Sequence, residues 1–150
     1  MIILSGEGYS ALGKTAGGGK KKVSVEKAII LAFIVALLVK IFVLDIMVAE
    51  GYSMTPAIEP GTILLVCQVY YGLRQPFSGT YLARWRVPQT GDVVVFFTPF
   101  GEIAVKRCVE ILPGGMFYAL GDNADQSYDS RNYGPVSFNN IIGRVLGIRR

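Results

Sequence analysis

The chain contains no histidine among its 150 residues. That absence excludes a Ser-His or Cys-His catalytic pair and any histidine-ligated metal. Its two cysteines, Cys67 and Cys108, are too few for a cysteine-only zinc site. They read as small core residues, or as a pair that could close in an oxidising compartment. Charge is also scarce, at 17% of residues against 51% hydrophobic. A chain this apolar calls first for a search for a membrane segment. The net charge of +4 is unevenly placed, because residues 1–27 hold five lysines against Glu7 and Glu26. The remainder is close to neutral and carries no long basic stripe, so nucleic acid is not an expected partner.

The candidate membrane segment follows the basic stretch AGGGKKK. Ala28 to Val39, AIILAFIVALLV, lacks a single polar side chain. Valines extend it on one side, and Lys40 can snorkel on the other. The expectation is a flexible basic tail over 1–24 and one transmembrane helix over 25–41. The lysines before the helix place that end in the cytoplasm by the positive-inside rule. Residues 42–150 then face outward. A buried core helix and a cleaved signal peptide are the alternatives. The flanking lysines argue against the first, and the want of a small-x-small site just after the run argues against the second.

Beyond residue 42 the pattern changes to strands. FVLDIMV, TILLVCQVYY, DVVVFF, EIAVKRCVEI and GMFYAL are rich in β-branched and aromatic residues, with Gly, Pro or Asn between them. No later stretch keeps a helical period. The expectation is an all-β domain built as curled antiparallel sheets or a partial barrel. Pro76 to Gly91 reads as a surface excursion.

Glu-Gly-Tyr-Ser occurs twice, at Glu7 and at Glu50. The first copy completes a phosphate-loop pattern, Gly8, Gly13, Lys14 and Thr15. Such a loop needs a helix directly after it to hold phosphate. Three glycines follow instead, so no nucleotide is expected there. Ser24-Val25-Glu26-Lys27 matches S-x-x-K but lacks the partner motifs. The second copy puts Ser53 ahead of Met54, Thr55 and Pro56.

A serine nucleophile here would need a base other than histidine, and Ser-Lys pairs are a known solution. The lysine must lose its proton at working pH, which favours a desolvated position. Of seven lysines, only Lys106 lies inside the β region. Strand alternation puts it on one face with Ala104 and Cys108. The plainer alternative is a lysine guarding a sheet edge. A third cluster, GDNADQSYDSRNYG from Gly121 to Gly134, is a tight polar loop whose acidic spacing does not fit an EF-hand.

Together these clusters resemble the bacterial type I signal peptidases, or leader peptidases, which are membrane-bound Ser-Lys enzymes. Gly51-Tyr52-Ser53-Met54-Thr55-Pro56 is similar to the family's Ser-Met-x-Pro block. Gly91-Asp92-Val93-Val94 is similar to its Gly-Asp-Ile/Val-Val block. Lys106-Arg107 with Leu112-Pro113-Gly114 resembles its Lys-Arg…Leu-Pro-Gly block. Gly121-Asp122-Asn123, Ser127 and Asp129-Ser130-Arg131 resemble the block ending Ser-x-Asp-Ser-Arg. Lys40-Ile41-Phe42-Val43 is similar to the stretch where family helices leave the membrane.

The resemblance implies Ser53 as nucleophile, Lys106 as general base and Ser127 as the residue orienting the lysine. It implies the Ser53 amide as one oxyanion donor, with the second unassigned near Gly51, where many members carry serine. Asp129 and Arg131 would pair to support the Ser127 loop. Met54, Pro56, Arg107, Gly121, Asp122, Asn123 and Ser130 would support the site, with no metal and no cofactor. The expected partners are preproteins with signal peptides and the bacterial inner membrane. The chain departs from the pattern at Ala57-Ile58, Gly115 and Ala124, and its link from Lys106 to Gly121 is short. A specialised relative serving one pilin or conjugation-type substrate, or an inactive membrane-anchored binding module, are the rival readings.

Overall fold

The computed structural model describes residues 24–75 and 79–149. The tail before Ser24, the Gly8–Thr15 match and residues 76–78 of the expected surface excursion lie outside the described residues. Helix α1 spans Val25–Phe42, close to the expected bounds. The Ser24 hydroxyl accepts from the Lys27 N–H at 3.4 Å, so the S-x-x-K match is a helix cap. Every side chain from Val25 to Lys40 is exposed. The helix has 18 residues, with Glu26 in its first turn and Lys40 in its last. Among the described residues no helix is long and apolar enough to cross a membrane, so the expected transmembrane helix over 25–41 is not found: Glu26, Lys27 and Lys40 leave only Ala28–Val39 uncharged.

The rest is mostly β, as expected. Seven strands form one antiparallel sheet: β1 (Leu44–Val48), β2 (Ile63–Cys67), β5 (Val93–Phe97), β6 (Ile103–Leu112), β7 (Met116–Leu120), β8 (Val136–Ser137) and β9 (Ile141–Arg149). Their order is β1-β2-β9-β5-β6-β7-β8. Register shifts at Leu65/Val66, Val95/Phe96 and Cys108/Glu110 interrupt the ladders. Such bulges add twist, and here they curl the sheet into a half-barrel. β5 shows the consequence for the core. Val94 and Phe96 enter one buried cluster with Phe117 and Ile141, while Val95 enters a second with Met54, Ile58 and Leu64. Both faces of the central strand are therefore dry, which is why DVVVFF reads as a continuous apolar run.

Two elements differ from the sequence expectation. β9 lies between β2 and β5, yet IIGRVLGIR carries two glycines and arginine, which weaken its strand signal. Gly143 is needed there, because a Cβ at that position would lie 2.6 Å from the Cys67 carbonyl oxygen. The excursion after Pro76 is part of a hairpin, β3 (Gly72–Arg74) paired with β4 (Tyr81–Arg84). Cys108 is buried, Cys67 is partly buried, and both are free thiols. The short helix α2 (Ser130–Tyr133) follows β7 and is capped by Asp129.

Candidate active site

Ser53 sits on the turn after β1. Met54 and Ile58 are 4% and 1% exposed and pin that turn into the second core cluster. The Thr55 N–H and hydroxyl both donate to the Tyr52 carbonyl, at 3.2 and 2.8 Å. Asn123 holds the turn from the far side. Its N–H donates to the Ser53 carbonyl at 3.0 Å, and its side-chain amide donates to the Thr55 hydroxyl at 2.9 Å. Met54, Thr55 and Asn123 thus fix the backbone around the serine. Pro56 is exposed. Among the described residues the Ser53 N–H has no acceptor.

Lys106 lies in the middle of β6 and is 6% exposed. Its Nζ donates to Ser53 Oγ at 2.6 Å. Burial lowers its pKa from the ordinary lysine range, with the Asp129 carboxylate opposing that shift and Arg131 adding to it. Next to it, Arg107 points to the other side of the strand. Its guanidinium donates to both Asp122 oxygens at 2.8 and 2.7 Å and to the Gly91 carbonyl at 3.1 Å. This fork ties β6 to the loop after β7.

That loop centres on Asp129, whose side chain is fully buried. Arg131 Nε and Nη2 donate to its two oxygens at 2.9 and 2.6 Å. The Gly121 N–H donates to Oδ2 at 2.8 Å, and the Arg131 N–H to Oδ1 at 3.1 Å. The Ser127 hydroxyl also donates to Oδ2, at 2.6 Å. Burial alone would raise this carboxyl. The hydrogen bonds from Arg131, Gly121 and Ser127 outweigh it and hold Asp129 well below the usual carboxylate range. Ser130 is 2% exposed, and its hydroxyl accepts from the Ala119 N–H at 3.0 Å, closing the loop against β7.

Gly121 stands where these pieces meet. A Cβ there would collide with the Ser127 side chain and the Ser53 carbonyl oxygen. Gly121→Ala is therefore expected to displace the serine turn. The expected result is a drop of about 100-fold in kcat/KM, the scale of an ångström-sized misplacement. Steady-state kinetics beside a circular dichroism spectrum would check it, with the spectrum expected to stay β-rich.

Ser53 and Lys106 open on a cleft of about 580 Å³. Its lining includes Met47, Ala49, Ile58, Ala104 and Val105, with Phe100 and Tyr128 at one side. Ala104 and Lys106 both line it, and so do Ile103 and Val105. Gly51 lines the cleft too, at φ +76°, and is exposed. Phe100 and Tyr128 face each other with ring centroids 6.3 Å apart. Sequence reading had no signal for Phe100. Tyr128 was visible only as the variable residue between Ser127 and Asp129.

A buried lysine bonded to a serine hydroxyl, beside an unoccupied amide donor and an open cleft, can activate that hydroxyl toward an acyl group. The profile of the family described as "Signal peptidase, peptidase S26" matches residues 22–114 and 104–148. The chain belongs to the signal peptidase family, peptidase S26.

Individual relatives agree. Signal peptidase I of Buchnera aphidicola subsp. Baizongia pistaciae is 34% identical over 83 residues, covering 54% of this chain and 26% of the relative. The match thus spans about a quarter of that protein's length. The probable signal peptidase I-1 of Synechocystis sp. is 24% identical, covering 79% of this chain and 77% of the relative. The mitochondrial inner membrane protease subunit 2 of Danio rerio is 29% identical, covering 81% and 75%. The family segment thus takes in the serine turn, β6 and the Asp129 loop together.

Proposed function

We propose that this chain is a membrane-anchored serine endopeptidase that removes signal peptides from exported preproteins by a Ser-Lys dyad. The observation that carries the reading is the 2.6 Å contact between buried Lys106 and Ser53 in a cleft of mixed lining, where Met47, Ala49 and Ile58 stand beside Glu50 and Glu102. In the neutral amine the same contact runs the other way, with the serine O–H donating. Lys106 Nζ takes that proton as Ser53 Oγ attacks the scissile carbonyl. The Ser53 N–H then faces the oxyanion, and the second donor is sought at Gly51 or in a group of the substrate. The lysinium returns its proton to the leaving amine, and the acyl-enzyme is hydrolysed by water activated in the same way. Ser127 assists through Asp129: a hydroxyl that donates to a carboxylate turns its lone pairs outward and becomes a better acceptor toward the lysine.

The cleft favours small residues in the substrate, because short side chains line much of it and Phe100 and Tyr128 narrow it. α1 is read as the anchor. Its uncharged stretch Ala28–Val39 is short for a full span, so the anchoring needs Lys27 and Lys40 to snorkel to the interfaces or the bilayer to thin around it. The lysine-rich end would be cytoplasmic and the β domain outside. Met47 and Ile103 line both the Ser53 cleft and the groove that Leu37 and Lys40 of α1 form with the domain. A substrate held in the same bilayer would then present its cleavage site near the serine, and the shared membrane raises its effective concentration.

The test is to incubate the full chain in detergent with a panel of preproteins and to sequence the new N-termini. Cuts after small-x-small sites, absent with Ser53→Ala, support the reading. No cut, or an equal cut by both forms, sinks it.

A pH profile checks the base separately. Burial lowers the Lys106 pKa, so the neutral, active amine gains population at a lower pH than for a free lysine, whose pKa is about 10.4. The kcat/KM is expected to rise with pH along a limb whose midpoint lies below that value. A midpoint at the free-lysine value would remove the argument from burial.

A further inference from the structure

A second cleft, of about 750 Å³, lies at the base of the β3–β4 hairpin, away from Ser53. Tyr70, Arg84, Trp85, Arg86 and Val87 line it, with Asp92 at its floor. The Asp92 charge is already committed. Arg144 Nε lies 2.9 Å from Oδ1, and Oδ2 accepts from the Tyr71 hydroxyl at 2.9 Å and the Gln89 N–H at 3.0 Å. Arg84 and Arg86 form no ion pair among the described residues. Both are stacked on rings, Arg86 at 5.0 Å from the Tyr70 centroid and Arg84 at 4.6 Å from that of Tyr81, and Arg84 Nη2 also donates to Asn139 Oδ1 at 2.6 Å, which leaves its other N–H groups available. Stacking fixes a guanidinium in place and leaves N–H groups at its edge for an oxyanion.

The neighbours of these cations are apolar and wet. Trp85 is 57% exposed, Leu82 65% and Val87 54%. A site for a free anion has no use for an exposed indole and leucine. A bilayer interface uses both, with the cation at the phosphate level and the indole just beneath. The hairpin also starts beside α1: Arg74, Gln75 and Gly79 share a groove with Leu37 and Lys40. Gln68 lines that groove and Tyr70 lines the second cleft, so the two lie close along the chain.

We propose that Arg84 and Arg86 bind the phosphate headgroup of an anionic phospholipid, with Trp85 and Leu82 set into the interfacial layer. This rests on α1 being held in a membrane, but not on the peptidase chemistry. Trp85 is the one tryptophan in the sequence, so its fluorescence reports on this cleft alone. The full chain would be placed in nanodiscs of phosphatidylcholine, or of phosphatidylcholine with phosphatidylglycerol, each carrying lipid brominated near the glycerol end of the acyl chain.

The expected result is a blue-shifted Trp85 emission and severalfold stronger quenching with phosphatidylglycerol. Arg84→Gln with Arg86→Gln is expected to return the signal to the phosphatidylcholine level, while the variant still co-elutes with the disc. Equal quenching in both lipids, or an unchanged signal in the double variant, overturns the headgroup site. So does a chain that co-elutes with neither disc. Inorganic phosphate that produces the same signal in phosphatidylcholine discs makes this a free-anion site and overturns the lipid assignment. None of these readouts uses cleavage, so a failure of the peptidase reading would show only in the preprotein assay.

Discussion

Lys106→Met is expected to lower kcat/KM for preprotein cleavage by roughly 10³-fold or more while the protein stays folded, the scale on which loss of a dyad member acts. Methionine matches lysine in length and suits an apolar strand. The substitution removes the amine and little else from a side chain that is 6% exposed. Without the amine, Ser53 Oγ loses the partner 2.6 Å away that would take its proton. Histidine cannot substitute, because the chain has none.

Ser53→Ala is expected to cost a similar factor, and the double variant no more than either single one, because groups that act as a unit are not additive. Arginine at 106 gives a sharper contrast. It keeps a positive charge that is not lost at any working pH, so Lys106→Arg should be as inactive as Lys106→Met. A Lys106→Met enzyme within tenfold of wild type, beside an inert Ser53→Ala, would mean that another group takes the proton. Activity and thermal melting should be measured on the same preparation, so that an unfolded variant is not read as a chemical effect.

Much of this site was legible because chemistry limits the choices. No histidine and one lysine in the β region leave few possible bases, and alternation along EIAVKRCVEI placed Lys106 and Ala104 on one face. The structure puts both in the Ser53 cleft, together with Val105 of the opposite face. Other parts were not legible because they depend on distant contacts. β9 was hidden by Gly143, which is small to let the Cys67 carbonyl approach. The hairpin formed by β3 and β4 was hidden by its short strands. Phe100 reaches the cleft only because β5 and β6 turn back on each other after Pro99. The resemblance implied Ser127 as the residue orienting the lysine; the structure adds that its hydroxyl donates to Asp129, a partner that no one-dimensional pattern encodes. Leu82 and Trp85 were legible as residues for the bilayer interface or for packing on the core, whereas Arg84 and Arg86 carried no signal until folding stacked them on Tyr81 and Tyr70.

Asp129→Ala is expected to destabilise the fold by about 3 kcal/mol, because it strands several buried donors at once and each unmet donor costs about 1–3 kcal/mol. The Gly121 and Arg131 N–H groups lose their acceptor, as does the Ser127 hydroxyl. The Arg131 side chain is partly exposed, so water can take over its share of the pair. Both oxygens of one carboxylate hold β7, the Ser127 turn and α2 together.

The same carboxyl gives a sign for acid stability. Its folded pKa lies below the usual carboxylate range, so its contribution is complete above the unfolded value of about 3.9 and fades as pH falls below it. Wild type is therefore expected to lose stability on acidification below about pH 4, and Asp129→Ala to lose less over the same interval. Urea denaturation at neutral and acid pH would measure both differences. Equal midpoints for wild type and Asp129→Ala at neutral pH would show that the loop is held elsewhere. A parallel fall of both proteins in acid would assign the acid sensitivity to groups other than Asp129.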